Sequence, residues 1–151
     1  MSDGAVTVDV ARRGAARKVP VRGLTAKARR ILRLLGLEDC ELSVALVGDE
    51  EIRGLNARYR SRDEPTDVLS FPVDEPLPTG HRLIGDVIIS VEKAARQARQ
   101  RRRSFDDELE VLLIHGILHN LGYDHERSPE DERQMRAMER RLRKELKVGR
   151  T

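Results

Sequence analysis

With 151 residues, the chain is long enough to bury one hydrophobic core and too short for two, so we expect a single domain. Aromatic residues make up only 3% of it, which argues against a nucleic-acid binder that stacks bases on a sheet of aromatic side chains. The net charge of +3 is mild, so only the distribution of the charges can be informative.

Three features favour a cytoplasmic protein that does not associate with a membrane. Cys40 is the only cysteine, which excludes an internal disulfide and a thiolate metal cluster and fits a reducing compartment. The first ten residues, MSDGAVTVDV, lack the basic and then apolar pattern of a secretory signal. No apolar run approaches the roughly 20 residues that are needed to span a bilayer.

Hydrophobic periodicity predicts strands and helices that alternate along the chain with short connections. In chain order, the predicted strands are 5–10, 41–48, 67–73 and 82–90, and the predicted helices are 24–35, 49–60, 91–102, 105–121 and 129–146. Gly36 is placed to end the first helix, and Asp49 and Ser90 are placed as N-caps of the second and third. The Pro and Gly content of residues 74–82 predicts a surface loop.

Residues 105–121 are apolar around most of the helix circumference, which predicts a buried central helix. The order of the elements predicts an α/β fold of α+β-like character, with a four-stranded mixed sheet packed against about five helices.

The segment HGILHNLGYDHE (115–126) holds three of the four histidines. His115 and His119 are four residues apart, so they share one face of the predicted helix. Gly122 can take a positive φ that ends this helix and brings His125 to the same point. Three converging imidazoles with an open fourth position are typical of a catalytic zinc site, although Ni, Cu or Fe would also accept them. A single histidine on an apolar helix would more often be a core residue.

The residue after the first histidine separates two kinds of hydrolase. A zincin protease has a glutamate there as its general base, and this chain has Gly116. A metallopeptidase with an unconventional base is therefore the second hypothesis. Phosphodiester cleavage needs instead a cation to stabilise the transition state, and an arginine fork is well suited to it.

Three segments in this order carry a resemblance: NARYRSRDEPTDVLSFP (56–72), GDVIIS (85–90) and HGILHNLGYDHE (115–126). Together they resemble the YbeY family of bacterial endoribonucleases and ribosomal RNA maturation factors. The histidine motif of that family reads H-G-x-L-H-L-x-G-Y-D-H, and this chain departs from it at Asn120, where the family usually has an apolar residue. The departure affects only local packing.

The resemblance implies one zinc ion on His115, His119 and His125, with the first two also catalytic and Arg60 facing the metal across a cleft. The stretch PTDVLSFP would line that cleft, so the secondary candidates are Thr66, Asp67 and Ser70; ordinary strand-entry chemistry is an equally good interpretation of these three. The histidines would be oriented by carboxylates, and Asp86, Asp124 and Glu126 are open candidates.

The resemblance also implies the function: a single-strand-specific, metal-dependent endoribonuclease. It would act in ribosomal RNA processing, including maturation of the 16S rRNA 3′ end, and in ribosome quality control. The implied partners are ribosomal RNA, the small ribosomal subunit, a small-subunit ribosomal protein and an Era-like GTPase. A third hypothesis is a ribosome-assembly factor without enzymatic activity, whose zinc is structural.

The segment KAARQARQRRRS (93–104) is rich in cations. Arg96, Arg99 and Arg103 recur at helical spacing, which predicts a basic stripe for RNA phosphates with strong salt dependence. Cations also favour a helix C-terminus because of the helix dipole, and this is an equally good explanation.

Overall fold

The computed structural model describes residues 4–124 and 126–148, with Arg22 described without its side chain. The described residues form one four-stranded sheet and five α-helices, with a short 3-10 helix at Gly14–Ala16. The strands are β1 (Val6–Arg12), β2 (Cys40–Val47), β3 (Val68–Pro76) and β4 (Arg82–Ser90). The helices are α1 (Arg22–Leu34), α2 (Asp49–Arg60), α3 (Val91–Gln100), α4 (Phe105–Asn120) and α5 (Pro129–Val148). The predicted mixed sheet and its helices are confirmed.

The sheet has the order β1-β2-β4-β3, with β1, β2 and β4 parallel and β3 antiparallel to β4. The antiparallel strand β3 therefore lies at one edge of the sheet. An edge strand exposes one row of backbone groups that no neighbouring strand satisfies, so other parts of the chain can bind there.

The two faces of the sheet are covered by different helices. Val87 and Ile89 of β4 belong to the main core, which also contains the apolar residues of α1, α4 and α5. Ile88, between them, packs with Ile52 of α2 in a second, smaller core. Because successive residues of a strand point to opposite faces, α2 covers the face that α4 does not.

Helix α4 is the central helix, as predicted, because its apolar residues point in all directions. Leu113, Ile114, Ile117 and Leu118 are at most 1% exposed. A helix that is apolar all round is stable only when other elements surround it. The sheet, α3, α1 and α5 all contact it.

Two local predictions were wrong. The third strand does not end near Pro72: it continues past an irregularity to Pro76, because Glu75 and Pro76 pair with Leu83 and Arg82. The predicted loop at 74–82 is therefore reduced to residues 77–81.

The second error concerns the start of α2, where Gly48 and not Asp49 is the N-cap. The Asp49 carboxylate accepts a hydrogen bond from the Ser90 hydroxyl at 2.7 Å, and the backbone N–H of Asp49 donates to Glu92 Oε1 at 2.8 Å. A backbone N–H group at the start of α2 is thus satisfied by a side chain from another helix, α3. The predicted cap at Ser90 is confirmed, since its hydroxyl accepts from the backbone N–H of Lys93.

None of the helices in residues 4–124 and 126–148 combines the length and the apolar character that crossing a membrane would need.

Candidate active site

Two imidazoles meet on the C-terminal half of α4. The Nε2 atoms of His115 and His119 lie 3.1 Å apart, and the ring centroids are separated by 4.6 Å. Both side chains are half-buried, so the helix fixes their position, and both line a cleft. The structure thus brings together two of the three histidines that the sequence singled out.

The chain turns sharply just after these histidines. Gly122 has a φ of 98°, its N–H donates to His119 O, and the N–H of Tyr123 donates to Leu118 O. This pair of bonds is the Schellman motif, which needs a left-handed residue after the helix and is easiest for glycine. The turn directs the chain toward His125, which lies outside the described residues.

The donor set fits a zinc ion in part. Two nitrogens bound to one tetrahedral zinc at about 2.0–2.1 Å each would lie roughly 3.3 Å apart, close to the observed separation of the two Nε2 atoms. Among residues 4–124 and 126–148, no group of three or more His, Cys, Asp or Glu residues is arranged to hold a metal ion. The pair is therefore compatible with a shared cation, and a third protein ligand would have to come from His125.

Glu139 of α5 is a site residue that sequence reasoning missed. Its Oε2 lies 3.9 Å from the Nδ1 atom of His115, the ring nitrogen turned away from His119. A carboxylate on the second ring nitrogen commonly orients a metal-binding histidine. Nothing in the sequence distinguishes Glu139 from the other acidic residues of α5, because only the packing of α5 on α4 brings it to His115.

The two histidines open into a cleft of about 950 Å³. This cleft contains six of the candidates that the sequence and the family resemblance placed around the metal; they are Arg60, Thr66, Asp67, Ser70, His115 and His119. Asp124 and Glu126 also line it. The structure thus brings together residues that lie more than fifty positions apart in the chain.

Arg60, the last residue of α2, reaches the cleft over the edge strand β3. Its guanidinium donates to Ser70 O at 2.6 Å, and its Cζ atom lies 5.5 Å from the centre of the Phe71 ring. A cation over an aromatic face is held electrostatically as well as by contact. The hydrogen bond uses one of the five N–H donors of the guanidinium, so most of its binding capacity remains for a ligand.

Ser70 connects the edge strand to α4. Its hydroxyl donates to Gly116 O at 3.0 Å, and Gly116 itself packs against β4. A Cβ atom added at Gly116 would lie 2.6 Å from Val87 Cγ1. The position that carries the general base in a zincin protease therefore has no room for a side chain here.

The side chain of Asp67 is engaged in structural hydrogen bonds. Its Oδ1 accepts from the backbone N–H of Val68 at 2.8 Å and faces the Thr66 hydroxyl at 3.5 Å. Its Oδ2 accepts from Gln97 at 3.3 Å. These contacts match the strand-entry interpretation of Thr66 and Asp67, while both residues also line the cleft.

The three arginines that were predicted to bind RNA lie outside this cleft. Arg96 forms an ion pair with Asp49 at 2.7 Å, Arg99 is exposed, and Arg103 lies 3.6 Å from Glu108. Two other cations do line the cleft, Arg62 and Lys93. Sequence reasoning missed Arg62 and placed Lys93 only in the basic segment 93–104, because the two residues lie on different elements, one after α2 and one in α3.

Asp86 can be removed from the open candidates for orienting the histidines. It precedes Val87, which packs under Gly116, so its side chain points to the opposite face of the sheet from α4. Burial raises the pKa of Asp86 above its ordinary value.

The carboxyl of Asp49 behaves in the opposite way. Burial by itself would raise its pKa, but hydrogen bonds from Arg96 and Ser90, together with the charges of Arg96 and Lys93, lower the pKa below its ordinary value.

Asn120 occupies the position where the resemblance to the YbeY family predicts an apolar residue. It is 9% exposed, and its Nδ2 donates to Asp86 O at 3.1 Å. Its buried Oδ1 has no hydrogen-bond partner within the described residues. The Asn120 side chain thus joins the end of α4 to β4 by one hydrogen bond, while its carbonyl oxygen is left without a hydrogen-bond donor among the described residues.

Comparison with known proteins points to one family. The family model described as Endoribonuclease YbeY matches residues 10–147. A protein of that name from Aquifex aeolicus is 47% identical over 123 residues, which cover 82% of this chain and 81% of the relative. Another, from Anaeromyxobacter sp. (strain Fw109-5), is 52% identical over 121 residues. That match covers 80% of this chain but 62% of the relative, so the chain spans less than two thirds of it.

The fold has a counterpart among solved structures. A solution structure of a protein from Thermotoga maritima superposes with a TM-score of 0.60 at 29% sequence identity. The match covers 95% of this chain and 93% of that one. The two chains therefore share the fold over nearly their whole length.

Proposed function

The chain belongs to the endoribonuclease YbeY family, and we propose that it is a metal-dependent endoribonuclease that cleaves single-stranded RNA. The single observation that supports this most is that one cleft contains both the facing imidazoles of His115 and His119 and the guanidinium of Arg60. Imidazoles can bind a cation or transfer protons, and the arginine can bind a phosphodiester.

The metal in this proposal is one zinc ion held by His115, His119 and His125. When bound, zinc supplies Lewis-acid chemistry to a phosphodiester bond. Glu139 would hold the His115 ring in position from the opposite side. Asp124 and Glu126, the sequence neighbours of the third histidine, contribute carboxylates to the lining of the cleft.

Arg60 would bind the non-bridging oxygens of the scissile phosphate. Negative charge develops on these oxygens in the transition state, and a fixed guanidinium stabilises it without reorganisation. The contacts with Ser70 O and Phe71 fix the guanidinium before RNA arrives. Arg62 and Lys93, at the border of the same cleft, would bind neighbouring phosphates.

The biological role in this proposal is ribosomal RNA processing in the cytoplasm, including maturation of the 16S rRNA 3′ end, and ribosome quality control. The partners would be the small ribosomal subunit, one of its proteins and an Era-like GTPase. The support for this role is the resemblance of the three sequence segments to the YbeY family.

The experiment compares His119→Ala with His81→Ala, a histidine in the loop at 77–81 that lies outside the cleft. We expect His119→Ala to lose bound zinc by elemental analysis and to lose cleavage of a fluorescent single-stranded RNA, while His81→Ala keeps both. Retention of one equivalent of zinc by His119→Ala would exclude the assigned ligands.

A second measurement separates nuclease from peptidase and from a structural role of the metal. The purified protein is incubated with RNA and with casein, each with and without a chelator. We expect chelator-sensitive cleavage of RNA alone. Cleavage of casein would favour a metallopeptidase, whereas unfolding by chelator without cleavage of either substrate would favour an assembly factor.

A further inference from the structure

A second groove lies between α4 and α5, away from the cleft. It has a volume of about 440 Å³ and is bordered by Val111, Glu139 and six cations. The cations are Arg103, Arg136, Arg140, Arg143, Lys144 and Lys147. We call this the α5 groove. Six cations around one carboxylate give it a strong positive charge on a chain whose net charge is only +3.

The inner wall of the α5 groove is fixed by buried acids. Arg103 lies 3.6 Å from Glu108, and Arg143 lies 3.8 Å from Glu110. Both glutamates are fully buried in α4. These contacts hold two guanidiniums in place at the base of the groove.

The outer wall is different, because three of its four cations have no ion-pair partner among the described residues. Within the described residues, no ion pair involves Arg140, Lys144 or Lys147, and all three are exposed. Arg136 pairs with Glu132 of its own helix at 2.6 Å. Three cations therefore face solvent without neutralisation, which favours binding of a polyanion.

The spacing of these cations suits an extended anion. Arg136, Arg140, Lys144 and Lys147 recur every three or four residues, so they form one stripe along α5. From the first to the last, the stripe is about 16 Å long. A nucleic-acid strand presents a regular row of phosphates over such a length, whereas a small anion would need only one or two of the cations.

One contact links the α5 groove to the active-site cleft. Glu139 borders the groove, and its carboxylate lies 3.9 Å from the His115 ring, which borders the cleft. An RNA strand long enough to extend beyond His115 could therefore reach the row of cations.

We propose that the α5 groove binds the phosphate backbone of the RNA strand beyond the bond that is cut. This inference rests on the proposed endoribonuclease function and adds a second binding surface to it. An acidic protein segment is the competing occupant, but four arginines, with their planar forks, match phosphate geometry. The contact of Glu139 with His115, which places the groove near the cleft of the proposed nuclease, also favours RNA.

The test neutralises the outer wall in the full-length protein. The triple variant Arg140→Gln, Lys144→Gln, Lys147→Gln removes three exposed cations and keeps residues of good helix propensity. The matched control, Arg17→Gln, Lys18→Gln, Arg33→Gln, removes the same charge from exposed positions outside both depressions. Circular dichroism melts establish that both variants fold.

Binding is measured by fluorescence anisotropy with two single-stranded RNAs, one long enough for both depressions and one for the cleft alone. The RNA is shown to be intact on a denaturing gel. We expect the groove variant to bind the long RNA about tenfold more weakly than the control does. The slope of log K against log salt should fall by about 2, since each lost phosphate contact contributes roughly 0.7 for a single strand.

The short RNA separates the groove from the proposed function. Cleavage of the short RNA depends on the cleft alone. If the unmodified protein does not cleave this RNA, the endoribonuclease proposal itself is contradicted. Equal weakening of long RNA binding in both triple variants would overturn the groove proposal, because bulk charge would then explain the effect. Unchanged binding of the long RNA by the groove variant would also overturn the groove proposal. The competing occupant, an acidic protein segment, would then be the hypothesis to test.

Discussion

The two halves of α4 use polar side chains in opposite ways. Near its N-terminus, Glu108 and Glu110 are fully buried, and cations from other elements surround them. Arg101 donates to Glu108 at 2.7 Å, and Lys27 lies 3.4 Å from Glu110. Near its C-terminus, His115 and His119 are half-buried and face each other in an open cleft.

This difference shows which half of α4 can contact a substrate. The buried carboxylates are neutralised and enclosed, so they contribute to stability and cannot contact a substrate. The imidazoles keep ring nitrogens in an accessible place, so they can bind a cation or transfer a proton. Mutations in the first half should therefore change stability, and mutations around the second half should change activity.

The largest effect is expected from Glu108→Ala. It removes a fully buried carboxylate and leaves a cavity, while the charges of Arg101 and Arg103, which are 49% and 27% exposed, can turn to solvent. Loss of the charged hydrogen bond, about 1.5–3 kcal/mol, adds to the cost of the cavity. Urea unfolding monitored by circular dichroism measures the loss. The control is Glu145→Ala, which removes an exposed pair with Arg141 and should cost less than about 1 kcal/mol. Equal losses would abolish the distinction between the two kinds of carboxylate.

Arg60→Ala tests the other half of the comparison. We expect RNA cleavage to fall by a factor of about 10² to 10³, because the transition-state charge loses its guanidinium, while the melting temperature and zinc content stay unchanged. Arg58→Ala, an exposed arginine of the same helix outside the cleft lining, is the control. Undiminished turnover by Arg60→Ala would remove this residue from the mechanism.

Gly116→Ala lies in the C-terminal half of α4, next to His115, and probes the packing of this half on β4. The added Cβ would lie 2.6 Å from Val87 Cγ1, so we expect a loss of about 1–3 kcal/mol from overpacking. Val87→Ala in the same chain should restore part of this loss, which a double-mutant cycle measures. The control is Gly54→Ala on α2, where a Cβ meets nothing within 4 Å and should stabilise slightly.

The smallest effect is expected at Asn120, the buried polar residue at the cleft end of α4. Asn120→Leu loses a bond to Asp86 O that is worth about 1 kcal/mol and also removes a buried acceptor without a partner. The two changes should nearly cancel, so thermal unfolding should shift by only a few degrees. A destabilisation as large as that of Glu108→Ala would show that the amide is essential to the helix end.

Much of the site is visible in the sequence because it depends on contacts within one element. The spacing of His115 and His119 places them on one face of α4 whatever surrounds the helix. The turn at Gly122 ends the helix through two bonds, from the Gly122 N–H to His119 O and from the Tyr123 N–H to Leu118 O. The apolar circumference of α4 predicts its burial for the same local reason. Arg60, by contrast, was selected by the resemblance to the YbeY family, since no pattern within the sequence favours one arginine over another.

The remaining features depend on contacts between elements that are distant in the chain. Pairing with β4 extends β3 to Pro76, and Glu92 of α3 takes the capping role that the sequence assigns to Asp49. Packing of α5 on α4 brings Glu139 to His115 and forms the α5 groove. Local patterns therefore determined the elements and the placement of His115 and His119 on one helix face, whereas tertiary packing decided the partners of these residues. Hydrophobic periodicity specifies which face is buried but not what it is buried against.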